Sequence, residues 1–284
     1  MSGDGRLGRG DQSIMFSVSS RLLALALASV ATPALAAGDL LVAPTRVVLD
    51  GTRGTEVILN NVGALPATYR ISLELKRMTP MGELEAVKPE AANDHEKLTL
   101  SMISYAPRRV VLAPNQPQAI RIGVRPPADL PDGEYRAHML FRAIPDAAPA
   151  TATTSPREGL SISLTPIYGI TIPIIVRRGA LKATAAISDA KMTRDEEGPA
   201  FSFMLARSGD RSTYGRIRVT KAGVAKPIFE ARGIAIYAEL SNRNVTLPVS
   251  PEVAAQLLGP AKIEYLEDSD TGGGTIATAQ VVIR

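Results

Sequence analysis

Residues 160–179 read LSISLTPIYGITIPIIVRRG, and nearly every even-numbered residue from Leu160 to Val176 is apolar: Leu160, Ile162, Leu164, Pro166, Tyr168, Ile170, Ile172, Ile174 and Val176. A period of two is the signature of a β-strand. A typical strand has about five or six residues, whereas this run in extended form would reach roughly 56 Å at about 3.3 Å per residue. Pro166 and Pro173 lie inside it, and a proline, having no N–H, is accepted in a strand only where no donor is needed, at an edge or a bulge. The expectation is a long strand with one open edge. Its two halves differ. Residues 160–165 alternate apolar with hydroxyl side chains, while 170–176 are apolar at most positions on both faces, as in a strand packed within its own domain.

The same period extends outward. Residues 40–49, 56–60, 68–75, 119–124 and 135–142 read as further strands, separated by the turn signals Asp50-Gly51, Ala113-Pro114-Asn115 and Pro131-Asp132-Gly133. About seven short strands at this spacing predict an immunoglobulin-like β-sandwich, and Tyr135, just after a turn, is placed to form its tyrosine corner. Residues 147–158, AAPATATTSPRE, read as a loop. After Arg177-Arg178-Gly179 the pattern restarts with 181–188, 201–206, 215–220, 231–240, 245–249, 261–266 and 277–283, a second unit of the same kind. Ser250, Pro251 and Glu252 open a short helix over 251–258, and little other helix is expected. The fold class is therefore all-β, with two immunoglobulin-like sandwich domains, 38–178 and 179–284.

Residues 15–37, MFSVSSRLLALALASVATPALAA, combine Arg21, the apolar run from Leu22 to Val30, Pro33 and the small-residue ending Ala34-Leu35-Ala36. This is the pattern of a secretory signal peptide, and its apolar run is shorter than the roughly 20 residues that span a bilayer. Residues 1–37 are read as extension plus signal, with cleavage after Ala36 or Ala37 and Met15 as the true start. The formal net charge of +4 is too mild to suggest a nucleic-acid partner. With no cysteine, disulfides and thiolate chemistry are excluded, so the exported cores must hold without crosslinks.

Candidates for catalysis or metal binding are weak. Asp94-His95-Glu96 offers three possible ligands in a row, but adjacent side chains do not converge on one ion, and a solvated loop is the expectation. His138 alternates with Arg136 and Leu140 as a partly buried strand residue. Asp270-Thr271-Gly272 matches the aspartic-protease triplet, yet those enzymes need two opposed carboxylates in an apolar setting; here it lies in the polar, glycine-rich segment 267–274, which reads as a hairpin loop. The serines lack a histidine partner and a nucleophile elbow. No enzyme, cofactor or metal is expected.

The order of segments in the first unit carries a resemblance. VAPTRVVLDG (42–51), VILNNVGALPATYRI (57–71), ISYAPRRVVLAPNQPQAIRI (103–122) and LPDGEYRAHMLFRAIP (130–145) precede the long strand. The chain resembles the periplasmic pilus chaperones of the chaperone–usher pathway, the PapD-like family, over residues 39–178. The resemblance implies two Ig-like domains in an L or boomerang arrangement, residence in the periplasm, pilus or fimbrial subunits and an outer-membrane usher as partners, and no membrane insertion. It also implies a function, capping subunits by donor-strand complementation, a form of β-augmentation. Aligned on IPIIVRR, the donated residues are Leu164, Pro166 and Tyr168, extended by Leu160 and Ile162. Arg46, in TRVVLDG, inherits the role of binding the subunit's C-terminal carboxylate, for which a guanidinium offers a fork of donors; otherwise it is an ordinary exposed strand arginine. The family's second cation does not carry over. Its position falls near Pro173, with Arg177 or Arg178 of the hinge as candidates to replace it. DGEYRAHMLF (132–141) also departs from the family's late-strand pattern, so an exported two-domain Ig-like adhesion or binding module, or a pilus subunit, stays the alternative.

Overall fold

A computed structural model of the chain describes residues 40–145, 167–269 and 273–284. The signal region, the loop 147–158, the donor positions Leu160, Ile162, Leu164 and Pro166, and the triplet 270–272 lie outside the described residues. What is described forms one compact unit, almost wholly of strands. The first part comprises β1 (Leu40–Ala43), β2 (Val47–Leu49), β3 (Thr55–Asn61), β4 (Ala67–Glu74), β5 (Lys76–Met78), β6 (Leu84–Ala86), helix α1 (Asp94–Met102), β7 (Ile103–Ala106), β8 (Arg109–Leu112), β9 (Pro117–Val124), β10 (Gly133–Ile144) and β11 (Gly169–Arg178). They build two sheets, of strand order β1-β3-β9-β7 and β2-β11-β10-β4-β8, with β5 and β6 as a separate hairpin.

The expected single strand 40–49 is in fact two. β1 pairs antiparallel with β3, whereas β2 pairs parallel with β11 in the opposite sheet. Pro44, which cannot donate to a ladder, stands at the crossing. The chain thus laces both sheets along one side of the sandwich. Between them Leu59, Tyr69, Ile120, Met139, Phe141 and Ile174 are fully buried. Tyr135 closes the core below β10: its hydroxyl donates to the Pro131 carbonyl at 2.9 Å, the tyrosine corner expected from the sequence.

Helix α1 overturns the solvated loop expected at Asp94-His95-Glu96. Its start is a capping box, with the Asn93 side chain accepting from Glu96 N–H (2.8 Å) and the Glu96 carboxylate accepting from Asn93 N–H (2.8 Å), which satisfies two donors that a helix start leaves orphaned. The Glu96 carboxyl is held below its usual range, mainly by its hydrogen bond to Arg77. His95 turns away from Glu96 and stacks on Tyr135, ring centroids 4.3 Å apart, so the three side chains do not gather around an ion.

The second part runs β12 (Ala183–Asp195), β13 (Gly198–Gly209), β14 (Thr213–Thr220), β15 (Phe229–Ile236), β16 (Asn242–Pro248), α2 (Pro251–Leu257), β17 (Gly259–Glu267) and β18 (Gly274–Ile283). Its sheets are β12-β13-β16 and β15-β14-β17-β18, packed on Phe201, Phe203, Leu205, Ile217, Ile263 and Tyr265. Ser250 caps α2 through Val253 N–H, as read from the sequence. The strand expected over 231–240 stops at Ile236 because Leu240 N–H bonds back to the Tyr237 carbonyl at 3.0 Å, making a turn. The hairpin β5–β6 reaches across to this sandwich, where Asn244 N–H donates to the Pro80 carbonyl at 2.7 Å.

Replacing Tyr135 by Phe deletes the corner bond and changes no core volume. A net hydrogen bond contributes about 0.5–1.5 kcal/mol, so Tyr135→Phe is expected to lower the unfolding free energy by about that amount in urea titration, with the m-value unchanged.

Candidate functional site

The long strand is covered unevenly. β10 pairs with all of β11, from Gly169 opposite Arg142 to Arg178 opposite Gly133, but on its other side β2 pairs only with Ile174, Ile175 and Val176. Among the described residues, positions 169–173 therefore have a neighbour on one side alone, and Pro173, the residue without a donor, falls at the end of that uncovered stretch. At roughly 3.3 Å per residue the open edge is about 17 Å long.

Along this edge the even-numbered row changes character. Ile172, Ile174 and Val176 are buried and belong to the sandwich core, whereas Tyr168 is 55% exposed and its neighbour Ile167 is 49% exposed. The backbone is still held there, since Ala143 N–H donates to the Tyr168 carbonyl at 2.9 Å. Two large apolar side chains are thus presented to solvent on a fixed backbone. The odd-numbered Ile175 is also buried, but on the opposite face, with Met78, Ala235 and Tyr237 between the two sandwiches.

Arg46 lies one residue before β2, next in register to Pro173, where the cover begins. The structure corrects its expected exposure: it is only 8% exposed, and its guanidinium carbon sits 4.5 Å from the ring centroid of Tyr214. Stacking on an aromatic face fixes the plane of the guanidinium, a fork that matches planar acceptors. Pro44, Thr45, Arg46, Tyr214, Arg216, Glu267 and Asp268 line an open cleft of about 620 Å³ here. Arg216, contributed by β14, is a cation that sequence reading missed, because nothing in the chain links it to a residue 170 positions earlier.

The hinge arginines do not supply a second cation to the cleft. Arg177 Nε donates to Glu134 Oε2 at 2.9 Å and its Nη2 to the Ser212 carbonyl at 3.3 Å, while Ser212 N–H donates to the same Glu134 oxygen at 3.1 Å. Glu134 is buried, so this knot fastens β10, β11 and the loop before β14 to one another. Arg178 donates to the Ala128 carbonyl at 3.3 Å. Arg211 makes a two-pronged pair with Glu267, at 2.7 and 3.0 Å, and Arg207 spends its donors on the carbonyls of Leu240, Gly209, Arg211 and Ala238.

His138, opposite Pro173 on β10, is buried between the sandwiches. Burial, helped by the charges of Arg136 and Lys76, pushes its pKa down to about 3. Arg136 itself stacks 3.7 Å above Tyr237 and pairs with Glu239. A neutral imidazole at this place is structural.

No protein-family model matches the chain, and no curated protein does. Solved structures do match. A chain of the CsuC–CsuE chaperone–tip adhesion subunit pre-assembly complex from the archaic chaperone-usher Csu pili of Acinetobacter baumannii is 13% identical, with 86% of this chain and 99% of that one covered and a TM-score of 0.45. The CupB2 chaperone of Pseudomonas aeruginosa is 14% identical over 86% of this chain and all of its own, 100%, at 0.45. The E. coli chaperone DraB is 15% identical over 87% and 97%, at 0.44. At these identities and scores the fold rests on the strand order itself. No helix among the described residues is long and apolar enough to cross a membrane.

Because the folded state refuses a proton at His138 that the unfolded chain accepts near pH 6.5, stability is full above that pH and falls as pH drops from about 6.5 toward about 3. A His138→Gln variant is expected to lose less stability than the wild type across this window, as read from urea midpoints at each pH.

Proposed function

We propose that the protein is a non-enzymatic periplasmic chaperone that caps pilus or fimbrial subunits by lending them a strand and hands them to an outer-membrane usher. One observation carries this reading: an open strand edge that ends beside an arginine. A strand lying along residues 169–173 in the direction β2 already takes, parallel to β11, would run its C-terminal end toward Arg46, where a terminal carboxylate meets the guanidinium. Backbone hydrogen bonds along the edge would give affinity, and a row of apolar side chains would fill the pockets of a sandwich that lacks a strand. We assign that row to Leu160, Ile162, Leu164, Pro166 and Tyr168, of which Tyr168, exposed on a held backbone, supports the assignment. Arg46 is the carboxylate anchor, and we assign the second position, which the hinge arginines do not fill, to Arg216, which lines the same cleft and whose Nε lies 3.9 Å from Glu230 Oε1. In this reading 38–178 is the subunit-binding domain, 179–284 completes the cleft, and the L arrangement follows from the family resemblance.

A charge-assisted hydrogen bond contributes about 1.5–3 kcal/mol, equivalent to about a 10- to 100-fold change in affinity. Subunits captured by the tagged chain in the periplasm and identified by mass spectrometry provide the probe. Leu164→Asp and Tyr168→Asp are expected to melt like the wild type and to capture none. Arg46→Lys, which keeps the charge but not the fork, is expected to weaken capture by about tenfold with little change in melting. Unfolding of the free protein by Leu164→Asp would place that row in the protein's own core. Undiminished capture by folded variants of both row positions would put the lending strand elsewhere.

A further inference from the structure

The outer face of the five-stranded sheet carries a row of like charges. Arg142 of β10 is directly opposite Arg70 of β4, and Arg70 is directly opposite Arg109 of β8. Residues in register share a face. The flanking Tyr69, Ile71, Val110, Leu112 and Phe141 all point into the core, so the three arginines point away from it, and all three are exposed. With strands about 4.8 Å apart the row spans roughly 10 Å, no longer than the screening length of about 10 Å at 0.1 M salt. No described carboxylate forms an ion pair or hydrogen bond with any of them, whereas the exposed Arg121 of the other sheet faces Glu56 across its strand pair and bonds it at 3.0 Å. Like charges directly opposite one another weaken a sheet, and three in a row is an arrangement that folding alone does not favour.

The row has a built setting. Val111, 65% exposed, lies two residues beyond Arg109, and Thr68 of β4, opposite it, lies two residues before Arg70. Ile144 of β10 is opposite Thr68. A strip of apolar and hydroxyl groups therefore runs parallel to the arginines, one step along the strands.

We infer that this ladder is a docking surface for an acidic protein segment, a short run of at least three carboxylates with adjoining apolar side chains. Guanidinium forks match carboxylates two donors to two acceptors, and the apolar strip beside them suits side chains of a polypeptide. Anionic lipid surfaces are read by clusters of about four to eight basic residues, more than the row holds. One end of the row, Arg142, is in register with Gly169 of β11, but the row runs away from the open edge across β4 to β8 and does not include Arg46, so it does not rest on the proposed lending of a strand.

The test uses the exported full-length chain and a fluorescent decapeptide with three consecutive glutamates flanked by leucines, followed by anisotropy at low and high salt. The wild type is expected to bind it in a salt-sensitive manner, and not to bind the same peptide with glutamines. Arg70→Gln is expected to loosen binding at least about tenfold, Arg70→Lys less. Arg70→Gln is also expected to raise the melting temperature of the free protein, since it removes the centre of the repulsion. Equal binding by the wild type and the triple Arg70, Arg109, Arg142→Gln variant would overturn the proposal. So would a lowered melting temperature for Arg70→Gln, which would make the row structural, or tighter competition by phosphatidylglycerol vesicles than by unlabelled peptide, which would make it a lipid contact.

Discussion

Everything at the candidate site depends on how little of β11 is covered by β2. The chain leaves the first sheet after Ala43, crosses at Pro44 and Thr45, and rejoins the opposite sheet only at Val47, so β2 pairs with three residues of β11 and, among the described residues, 169–173 ahead of them have no strand on that side. Had the crossing come earlier, β2 would have closed the edge. An uncovered strand edge is a template for another chain, and natural sheets usually blunt it. Among the described residues it is left open beside an apolar pair, Ile167 and Tyr168, and bounded at its far end by a stacked, largely buried arginine.

An open edge is useful only if its backbone keeps its shape. β11 is held from behind by ten register pairs with β10, by the even-numbered residues in the sandwich core and by Ile175 between the sandwiches. The Glu134 knot adds a charged fastening. Removing one partner of a buried pair leaves the other uncompensated, commonly at a cost of about 3–5 kcal/mol, so Glu134, Arg177 and Ser212 act together. His138, kept neutral by burial, and Arg136, stacked on Tyr237, fill the rest of this seam without adding a group that titrates near neutral pH.

Period-two alternation made most strands legible in the sequence, and the Asp132-Gly133 turn before Tyr135 located the corner. Alternation could not show that residues 40–49 divide between two sheets, because both halves alternate in the same way; only Pro44 marked the break. Helix α1 was missed for the opposite reason. Of its residues only Thr99 and Met102 are buried, so its apolar period is faint, although Asn93 and Glu96 spell out its cap. At the site, Arg46 and Tyr168 could be named from the resemblance. Tyr214, Arg216 and the Glu134 knot could not, since their proximity comes from packing of distant segments. The arginine ladder was invisible for the same reason, its members being brought together by strand register alone.

Amide hydrogen exchange over residues 167–173, followed in the free protein and in a captured-subunit complex, tests the central claim most directly. The account predicts that the amides of this stretch not bonded to β10 exchange rapidly in the free chain, while those of 174–176 are protected on both sides, and that capture of a subunit protects the whole stretch. Full protection of the amides of 169–172 in the free protein, or no change on capture, would contradict it.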